Sequence, residues 1–212
     1  MKFETVIVGP LAVNTYVLYD EETKDCVIID PGDEGFKIIE TISSLNLHPK
    51  EIWLTHAHFD HLGGIAAVKR KYDVEVFLHS EDYFLYKTAV EHATLFGFDI
   101  EPPTSNPSFF NMNIGTKKIG SFAIDVIHTP GHSPGSVSFY SKENNAVFVG
   151  DLIFDHSVGR TDVPGGSFEE LEESIQKEIY TLGDDCVIYS GHGPKTTVGR
   201  EKTQNPFVRQ KG

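Results

Sequence analysis

The segment THAHFDHLGG, residues 55–64, places three histidines and one aspartate within six positions. Imidazole and carboxylate groups are ligands for zinc, iron and manganese, and neither a solvated loop nor a buried core needs so many of them together. His56 and His58 are two positions apart, so an extended segment points both side chains the same way. Asp60 and His61 follow where the chain turns toward the next helix, which lets them face a second cation. The segment predicts a metal site.

Three further ligand-type side chains follow predicted strands and lie beside glycines. His132 follows the strand FAIDVI, Asp151 follows NAVFV, and His192 follows CVIY. Strand ends on a rigid scaffold are where open α/β folds place functional groups. Five histidines and two aspartates suffice for two divalent cations, with Asp151 as a bridging carboxylate. The set contains no cysteine, which favours a catalytic site over a closed structural zinc site. A solvated histidine-rich loop and a purely structural metal site are the less specific alternatives.

Hydrophobic periodicity predicts the elements that position these side chains, because alternation is typical of strands and spacings of three and four are typical of helices. The predicted strands cover 2–8, 13–19, 25–30, 51–56, 74–79, 117–119, 121–127, 135–140, 146–149 and 186–189. The predicted helices cover 34–46, 62–72, 80–92 and 167–181. Residues 92–116 contain three prolines and are predicted to be an irregular connection, with 92–110 as a candidate lid.

Composition narrows the class of protein. The chain has 212 residues, 39% of them hydrophobic and 23% charged, which is enough to bury a core and unlike a disordered or membrane chain. No linker divides it, so a single α/β domain over 1–212, with two sheets and outer helices, is expected. The absence of a signal peptide pattern predicts a cytoplasmic protein. A net charge of −13 disfavours nucleic acid as a partner. Cys26 and Cys186 are predicted to be buried free thiols.

The motifs THAHFDHLGG, TPGHSPGS, GDLIF and SGHGP, in this order and spacing, resemble the metallo-β-lactamase-fold hydrolase superfamily. The stretches DPG, GRTD and TTVGREKTQNPF are most similar to its short glyoxalase II-like (hydroxyacylglutathione hydrolase-like) subgroup. The resemblance implies a four-layer αββα sandwich with a binuclear site between two mixed sheets. It implies one metal ion held by His56, His58 and His132, a second held by Asp60, His61 and His192, and Asp151 bridging the two. Zinc is the expected metal, with iron or manganese as alternatives.

The resemblance also implies an activity, namely hydrolysis of a thioester of the S-lactoylglutathione type by a hydroxide that bridges the ions. Asp60 is a candidate catalytic residue that orients this hydroxide. Arg160 and Lys195 are candidates for binding a substrate anion, and Phe154 for lining the pocket. A salt bridge between Arg160 and Asp162, and a solvated Lys195, are the plain alternatives. Full-length glyoxalase II has a C-terminal helical domain that this chain does not match, so related small thioesters or other activated esters fit equally well.

The same motifs are compatible with other functions. A glutathione persulfide dioxygenase would use one iron held by His56, His132 and Asp151. A lactonase, a β-lactamase, a nuclease and a non-enzymatic metal-binding module are further alternatives. Oxygen atoms that could accept the second N–H of a ligating imidazole are expected on Thr55, Ser133 and Asp30, although Asp30 could equally be a turn residue. His79 and His128 have no assigned role.

Overall fold

The computed structural model describes residues 1–110 and 115–210. The strands are β1 Lys2–Val8, β2 Val13–Tyr19, β3 Asp25–Ile29, β4 His48–Trp53, β5 Glu75–Leu78, β6 Ser108–Phe109, β7 Thr116–Ile119, β8 Phe122–His128, β9 Val137–Ser141, β10 Ala146–Gly150, β11 Ile153–Phe154, β12 Ser157–Val158, β13 Val187–Ser190 and β14 Thr196–Thr197. The α-helices are α1 Gly35–Ser44, α2 Ile65–Lys71, α3 Tyr83–Lys87, α4 Ala89–Leu95, α5 Phe168–Ser174 and α6 Val198–Gln204. Residues Phe59–His61 and Ser80–Asp82 form 3₁₀ turns, and Ile175–Ile179 form a π-helical turn.

Two mixed sheets form the centre of the molecule. The first has the order β1-β2-β3-β4-β5-β6, antiparallel from β1 to β3 and parallel from β3 to β6. The second has the order β14-β13-β10-β9-β8-β7, and only its β10–β13 pair is parallel. The short hairpin β11–β12 lies outside both sheets. Parallel neighbours need crossover connections, and helices supply them here.

Three separate hydrophobic clusters define four layers. Strand β2 is buried on both faces, with Val17 and Tyr19 in the cluster shared with α1–α3 and Tyr16 and Leu18 in the cluster between the sheets. The period of two residues along a strand produces this division. On the far side of the second sheet, a third cluster joins β10 and β13 to α5, the π-helical turn and α6. The predicted αββα sandwich with two mixed sheets is therefore confirmed.

The aromatic contacts between the sheets predict a large stability effect. Phe139 is fully buried, and its ring lies 5.2 Å from Trp53 and 5.8 Å from Phe110. Phe139→Ala should lower the free energy of unfolding by about 3–5 kcal/mol, because it removes apolar contacts and leaves a cavity. Urea unfolding of the variant beside Phe168→Ala, at a half-exposed ring on α5, measures this. A loss below about 1 kcal/mol for Phe139→Ala would contradict the packing described.

Several element boundaries differ from those predicted. The predicted helix 167–181 is α5 followed by the π-helical turn, and the predicted helix 80–92 is divided into a 3₁₀ turn, α3 and α4. The irregular connection begins only after α4 and contains β6, while residues 111–114 lie outside the described part. The predicted strand 51–56 is β4, which starts and ends three residues earlier and leaves 54–58, with the first two histidines, outside the strand.

Two smaller expectations concern the cysteines and the membrane. Cys26 and Cys186 are buried free thiols, as predicted. Over residues 1–110 and 115–210, no helix has both the length and the apolar character needed to cross a membrane.

Candidate metal centre

The two sheets bring four strand ends together at one edge of the sandwich. β4 leads into the histidine-rich segment, β8 into the loop with His132, β10 into Asp151 and β13 into the turn with His192. Glycines allow the close approach of these segments. A Cβ on Gly150, whose φ is +54°, would lie 2.3 Å from Oγ1 of Thr55, and a Cβ on Gly191 would lie 2.2 Å from Oδ1 of Asp151. All seven predicted metal ligands lie in this one cluster.

Three imidazoles form the first half of the cluster. The ring centroids of His56, His58 and His132 lie 4.6–4.8 Å apart, and one ligand atom from each lies within 4.8 Å of the others. Nδ1 of His58 is 2.9 Å from Nε2 of His132. Three converging nitrogens on a rigid scaffold suit a tetrahedral divalent ion that keeps one position for water or substrate.

A carboxylate and two imidazoles form the second half. Ligand atoms of Asp60, His61 and His192 lie within 4.8 Å of one another. Oδ2 of Asp60 is 3.3 Å from Nε2 of His192 and 3.8 Å from Nε2 of His61. The 3₁₀ turn Phe59–His61 produces this arrangement, because it turns Asp60 and His61 away from the extended segment that carries the first two histidines.

Asp151 lies between the two halves. Its Oδ1 is 3.4 Å from Nε2 of His61, and its Oδ2 is 3.5 Å from Nε2 of His192 and 3.8 Å from Nε2 of His132. Burial alone would raise the pKa of the Asp151 carboxyl, but the neighbouring imidazoles, above all His61, hold it well below its usual range. An ionised carboxylate facing both groups has the chemistry of a bridging ligand.

In four of the five imidazoles, a hydrogen bond from Nδ1 fixes the orientation of the ring. Nδ1 of His61 donates to Oδ2 of Asp30 (3.0 Å), and Nδ1 of His132 donates to the carbonyl of Arg160 (2.7 Å). Nδ1 of His192 donates to the carbonyl of Leu11 (2.9 Å), and Nδ1 of His56 donates to Oγ1 of Thr55 (3.0 Å). With Nδ1 engaged in this way, the Nε2 atoms of these four rings are the nitrogens available as ligands. This arrangement is typical of histidines that bind metals.

A further observation supports the fit between this donor set and metal ions. Nε2 of His56, His58 and His61 and Oδ1 of Asp151 are buried and have no hydrogen-bond partner among the described residues. Buried polar atoms without partners are costly, and their concentration at one point needs an explanation. Burial, reinforced by the neighbouring imidazoles, lowers the pKa of His56 far below its ordinary value and that of His58 to about 3, so both rings are neutral and able to coordinate. The residues present therefore fit a pair of divalent ions.

Comparison with known proteins identifies the family. Residues 8–192 match the model of the "Metallo-beta-lactamase superfamily". The chain belongs to this superfamily. It is 41% identical to "Probable metallo-hydrolase YqgX" of Bacillus subtilis, with 98% of each chain covered. It is 37% identical to "Hydroxyacylglutathione hydrolase GloC" of Haemophilus influenzae, with all of both chains covered.

Solved structures agree with that membership. The BLEG-1 B3 metallo-beta-lactamase has a TM-score of 0.91 at 39% identity, covering 98% of this chain and 99% of the other. TTHA1623 in a di-iron-bound form has a TM-score of 0.88 at 40% identity, covering 97% and 100%. This superfamily member is thus a metallo-hydrolase that binds divalent metal ions.

Two buried carboxylates outside the ligand set support the centre. Asp30, in the left-handed conformation with φ of 49°, accepts hydrogen bonds from the N–H and hydroxyl of Thr55 (2.7 and 2.6 Å) and from His61. The expectation that Thr55 and Asp30 accept hydrogen bonds from imidazole N–H groups is confirmed. The expectation for Ser133 is wrong, because its hydroxyl donates to Asp82, 2.7 Å away, and His132 uses the carbonyl of Arg160 instead.

Sequence reasoning missed two residues that hold the ligand segments. Asp82 accepts hydrogen bonds from the loops that carry the three histidines of the first half. Asn14 donates through Nδ2 to the carbonyls of Ser190 (3.0 Å) and Gly193 (2.9 Å), on either side of His192. Asn14 lies in β2, and the signal that could have found it is a polar side chain within a strand that is buried along its whole length. Nothing in the sequence distinguishes Asp82 from an ordinary acid at the start of a helix.

A cavity of about 470 Å³ opens onto the cluster. The metal-centre side of its wall contains His58, Asp60, His132 and Asp151. The rest of the lining is mostly apolar, with His92, Arg160 and Asp162 beside Leu11, Phe59, Leu95, Phe96, Phe98, Val163 and Pro164. The end of α4 and the residues that follow it supply much of this apolar wall, so part of the predicted lid 92–110 borders the cavity.

The three predicted substrate residues lie in different environments. Arg160 lines the cavity, and its Nε and Nη2 pair with the two carboxylate oxygens of Asp162 at 2.8 and 3.0 Å. The ring of Phe154 lies 6.4 Å from that of His192, and Nζ of Lys195 lies 5.9 Å from the ring centre of Tyr189. Within the described lining of the cavity, neither Phe154 nor Lys195 is present.

Among the described residues, two groups away from this centre contain metal-ligating residue types. His79 and His128 stack almost in parallel, 16° apart, beside Glu81, and their ring nitrogens are already engaged: Nδ1 of His79 accepts the N–H of Glu81 at 3.4 Å, and Nε2 of His128 lies 2.8 Å from the carbonyl of Pro134. In the group of Asp155, His156 and Glu201, the Glu201 carboxylate already accepts hydrogen bonds from Thr196, Asn205 and the N–H of His156. Both groups are explained by packing and hydrogen bonding.

Proposed function

We propose that this chain is a binuclear metallo-hydrolase that cleaves small thioesters of the S-lactoylglutathione type. The position of Asp151 between two groups of three ligands is the observation that carries the proposal. In this site His56, His58 and His132 would hold one ion, Asp60, His61 and His192 would hold the other, and the Asp151 carboxylate between the two groups would serve both. Zinc is the proposed metal, since the donor set of imidazoles and carboxylates suits it, and the di-iron form of TTHA1623 makes iron the first alternative.

Bound there, divalent ions supply Lewis acidity, which polarises a substrate carbonyl and lowers the pKa of water. The chain supplies orientation. The Asp60 carboxylate lines the cavity, and although burial would raise its pKa, His61 and His192 lower it, so it is ionised at neutral pH. It can therefore accept a hydrogen bond from the attacking water and direct the water's lone pair at the carbonyl carbon.

The nature of the leaving group favours a thioester. A thiolate leaves with a pKa near 8.5, so it departs at neutral pH without a proton from the protein, whereas an alkoxide needs a general acid. The 37% identity to a hydroxyacylglutathione hydrolase over the full length of both chains points to the same substrate class. Phe59 and Phe96 line the cavity and offer an apolar surface to the hydrocarbon part of a substrate.

Hydrolysis of a cyclic amide or ester on the same centre is the second candidate function. The 39% identity to the BLEG-1 B3 metallo-beta-lactamase favours it. A persulfide dioxygenase is disfavoured, because its single iron needs only His56, His132 and Asp151, whereas His58 approaches His132 to 2.9 Å and a second complete ligand group lies beside them.

Zinc-loaded and iron-loaded protein should be assayed in parallel on S-lactoylglutathione, a simple lactone, a β-lactam and glutathione persulfide. Turnover of S-lactoylglutathione well below that of the lactone or the β-lactam would overturn the thioester proposal.

Arg160 gives a test of how the substrate carboxylate binds. Arg160→Gln should raise KM for S-lactoylglutathione about fivefold with little change in kcat, because a partly exposed charged hydrogen bond contributes roughly 1 kcal/mol. Asp162→Asn should lower KM, since it releases the guanidinium from the pair seen here. Steady-state kinetics of both variants measure this. Equal KM values in both variants and the parent would show that Arg160 binds only Asp162.

A further inference from the structure

Asp82 is a buried carboxylate outside the proposed ligand set. It ends the 3₁₀ turn Ser80–Asp82 after β5 and is fully buried. Its Oδ2 accepts the N–H of Ala57 at 3.0 Å and the hydroxyl of Ser133 at 2.7 Å, and its Oδ1 accepts the N–H of Gly135 at 2.6 Å. All three donors belong to two loops that are distant from Asp82 in the sequence.

These two loops carry every imidazole of the three-histidine group. Ala57 stands between His56 and His58, and Ser133 directly follows His132. One loop extends from the first sheet and the other from the second, and their backbones meet where the N–H of Val137 donates to the carbonyl of Thr55 at 2.8 Å. The Asp82 carboxylate adds side-chain hydrogen bonds to both loops next to the histidines themselves. Asp30 holds Thr55 and His61 in a similar way.

We propose that Asp82 is the positioning residue of the three-histidine group and sets its affinity for a cation. This inference rests on the proposed function, in which that group holds one of two metal ions. By fixing the N–H between His56 and His58 and the hydroxyl after His132, Asp82 holds the three imidazoles at the separation that one ion requires.

An acceptor oxygen is required on both sides of this position. Both of its oxygens face backbone N–H groups, so an asparagine would present its NH₂ either to the N–H of Ala57 or to that of Gly135. Either orientation sets two donors against each other and leaves one buried N–H without an acceptor. The loop has little freedom to adapt, because a Cβ on Gly135 would lie 2.6 Å from the backbone nitrogen of Asp82.

Asp20 is a matched control at the other end of the sandwich. Its carboxylate is also buried and accepts hydrogen bonds from the N–H and hydroxyl of Ser121, both at 2.6 Å, and from the N–H of Glu22 at 2.8 Å. It links the turn after β2 to the turn before β8, whereas the metal centre lies at the opposite ends of these strands. Strands of seven residues separate the two ends by roughly 20 Å.

The experiment compares zinc and cobalt binding by the parent chain, Asp82→Asn, Ser133→Ala and Asp20→Asn. Affinities come from competition with a chelator, the ligand field of each site comes from Co(II) absorption, and thermal unfolding is recorded for each protein.

Asp82→Asn should weaken the binding of one of the two ions by about 10- to 100-fold and change its Co(II) bands, while the binding of the other ion is unaffected. Ser133→Ala should change the same site in the same direction by a smaller factor, and it keeps the test available if Asp82→Asn does not fold. Asp20→Asn should lower the melting temperature and keep both affinities.

Two results would overturn the inference. The first is an unchanged metal affinity in Asp82→Asn, or in Ser133→Ala if only that variant folds. The second is an equal loss of metal affinity in Asp20→Asn, which would show a general effect of destabilisation. His58→Ala separates this inference from the proposed function. If His58→Ala binds both ions as tightly as the parent, the assignment of the three-histidine group is wrong, whatever Asp82 does.

Discussion

Asp151→Ala should lower kcat/KM for the preferred substrate by at least about a thousandfold, because in the proposed site its carboxylate serves both ions and its loss removes roughly 4 kcal/mol or more of transition-state stabilisation. Asp151 is the one residue in the described structure whose carboxylate lies within 4 Å of His61, His132 and His192. The same substitution should lower the number of metal ions bound per chain. Steady-state kinetics and elemental analysis of the purified variant measure both effects.

A surface carboxylate provides the control for Asp151→Ala. Asp184 is exposed and pairs with Lys202, away from the cluster, so Asp184→Asn should keep the activity and metal content of the parent. Asp151→Asn should be nearly as inactive as the alanine variant, because it keeps the shape of the side chain but loses the negative charge between the ions. If Asp151→Ala kept more than a tenth of the activity with its metal content unchanged, the bridging assignment would be refuted.

Removal of metal with a chelator should abolish activity and lower the melting temperature by roughly 10 °C. An ion present at about a thousand times its Kd stabilises the folded chain by roughly 4 kcal/mol, and about 2–4 °C is expected per kcal/mol for a chain of this length. The buried atoms of His56, His58, His61 and Asp151 that lack partners are the physical basis of this stabilisation. Thermal unfolding before chelation, after chelation and after addition of zinc provides the measurement.

The chelator effect should depend on pH in a defined direction. Burial lowers the pKa of His61 and His192, but Asp151 and Asp60 outweigh it and raise the pKa of both imidazoles above the ordinary value. Both rings are therefore protonated below their raised pKa, and a cation must displace those protons in order to bind. Metal affinity should fall as the pH falls through this range, so the difference in melting temperature between loaded and chelated protein should shrink. A difference that grew on acidification would contradict the assignment of His61 and His192 as ligands.

The seven candidate ligands could be predicted from the sequence because each follows a predicted strand and lies beside a glycine or within a single turn. The αββα layers could be predicted because β2, β3 and β10 contain the continuous apolar runs YVLY, CVII and AVFV, which are typical of strands buried on both faces. Spacing separates His56 and His58 from Asp60 and His61, but the complete pairing, with His132 in one group and His192 in the other, is implied only by the family resemblance. It depends on how the 3₁₀ turn at Phe59–His61 rotates Asp60 and His61, and only the structure shows that rotation.

The supporting contacts could not be predicted, because they join turns that are far apart in the chain. Asp82 and Ser133 are separated by 51 positions, and their hydrogen bond depends on two sheets meeting at one edge. The same reason explains why Ser133 was assigned the wrong partner. The backbone carbonyls of Arg160 and Leu11, which fix two of the imidazoles, carry no signal in the residue type at all.

The number of metal ions bound per chain, measured together with activity on S-lactoylglutathione, tests the central claim most directly. Two divalent ions per chain and hydrolysis of the thioester that rises with the occupancy of the second ion are the expected results. One iron per chain, with oxygen consumption on glutathione persulfide and no thioester hydrolysis, would contradict the binuclear hydrolase.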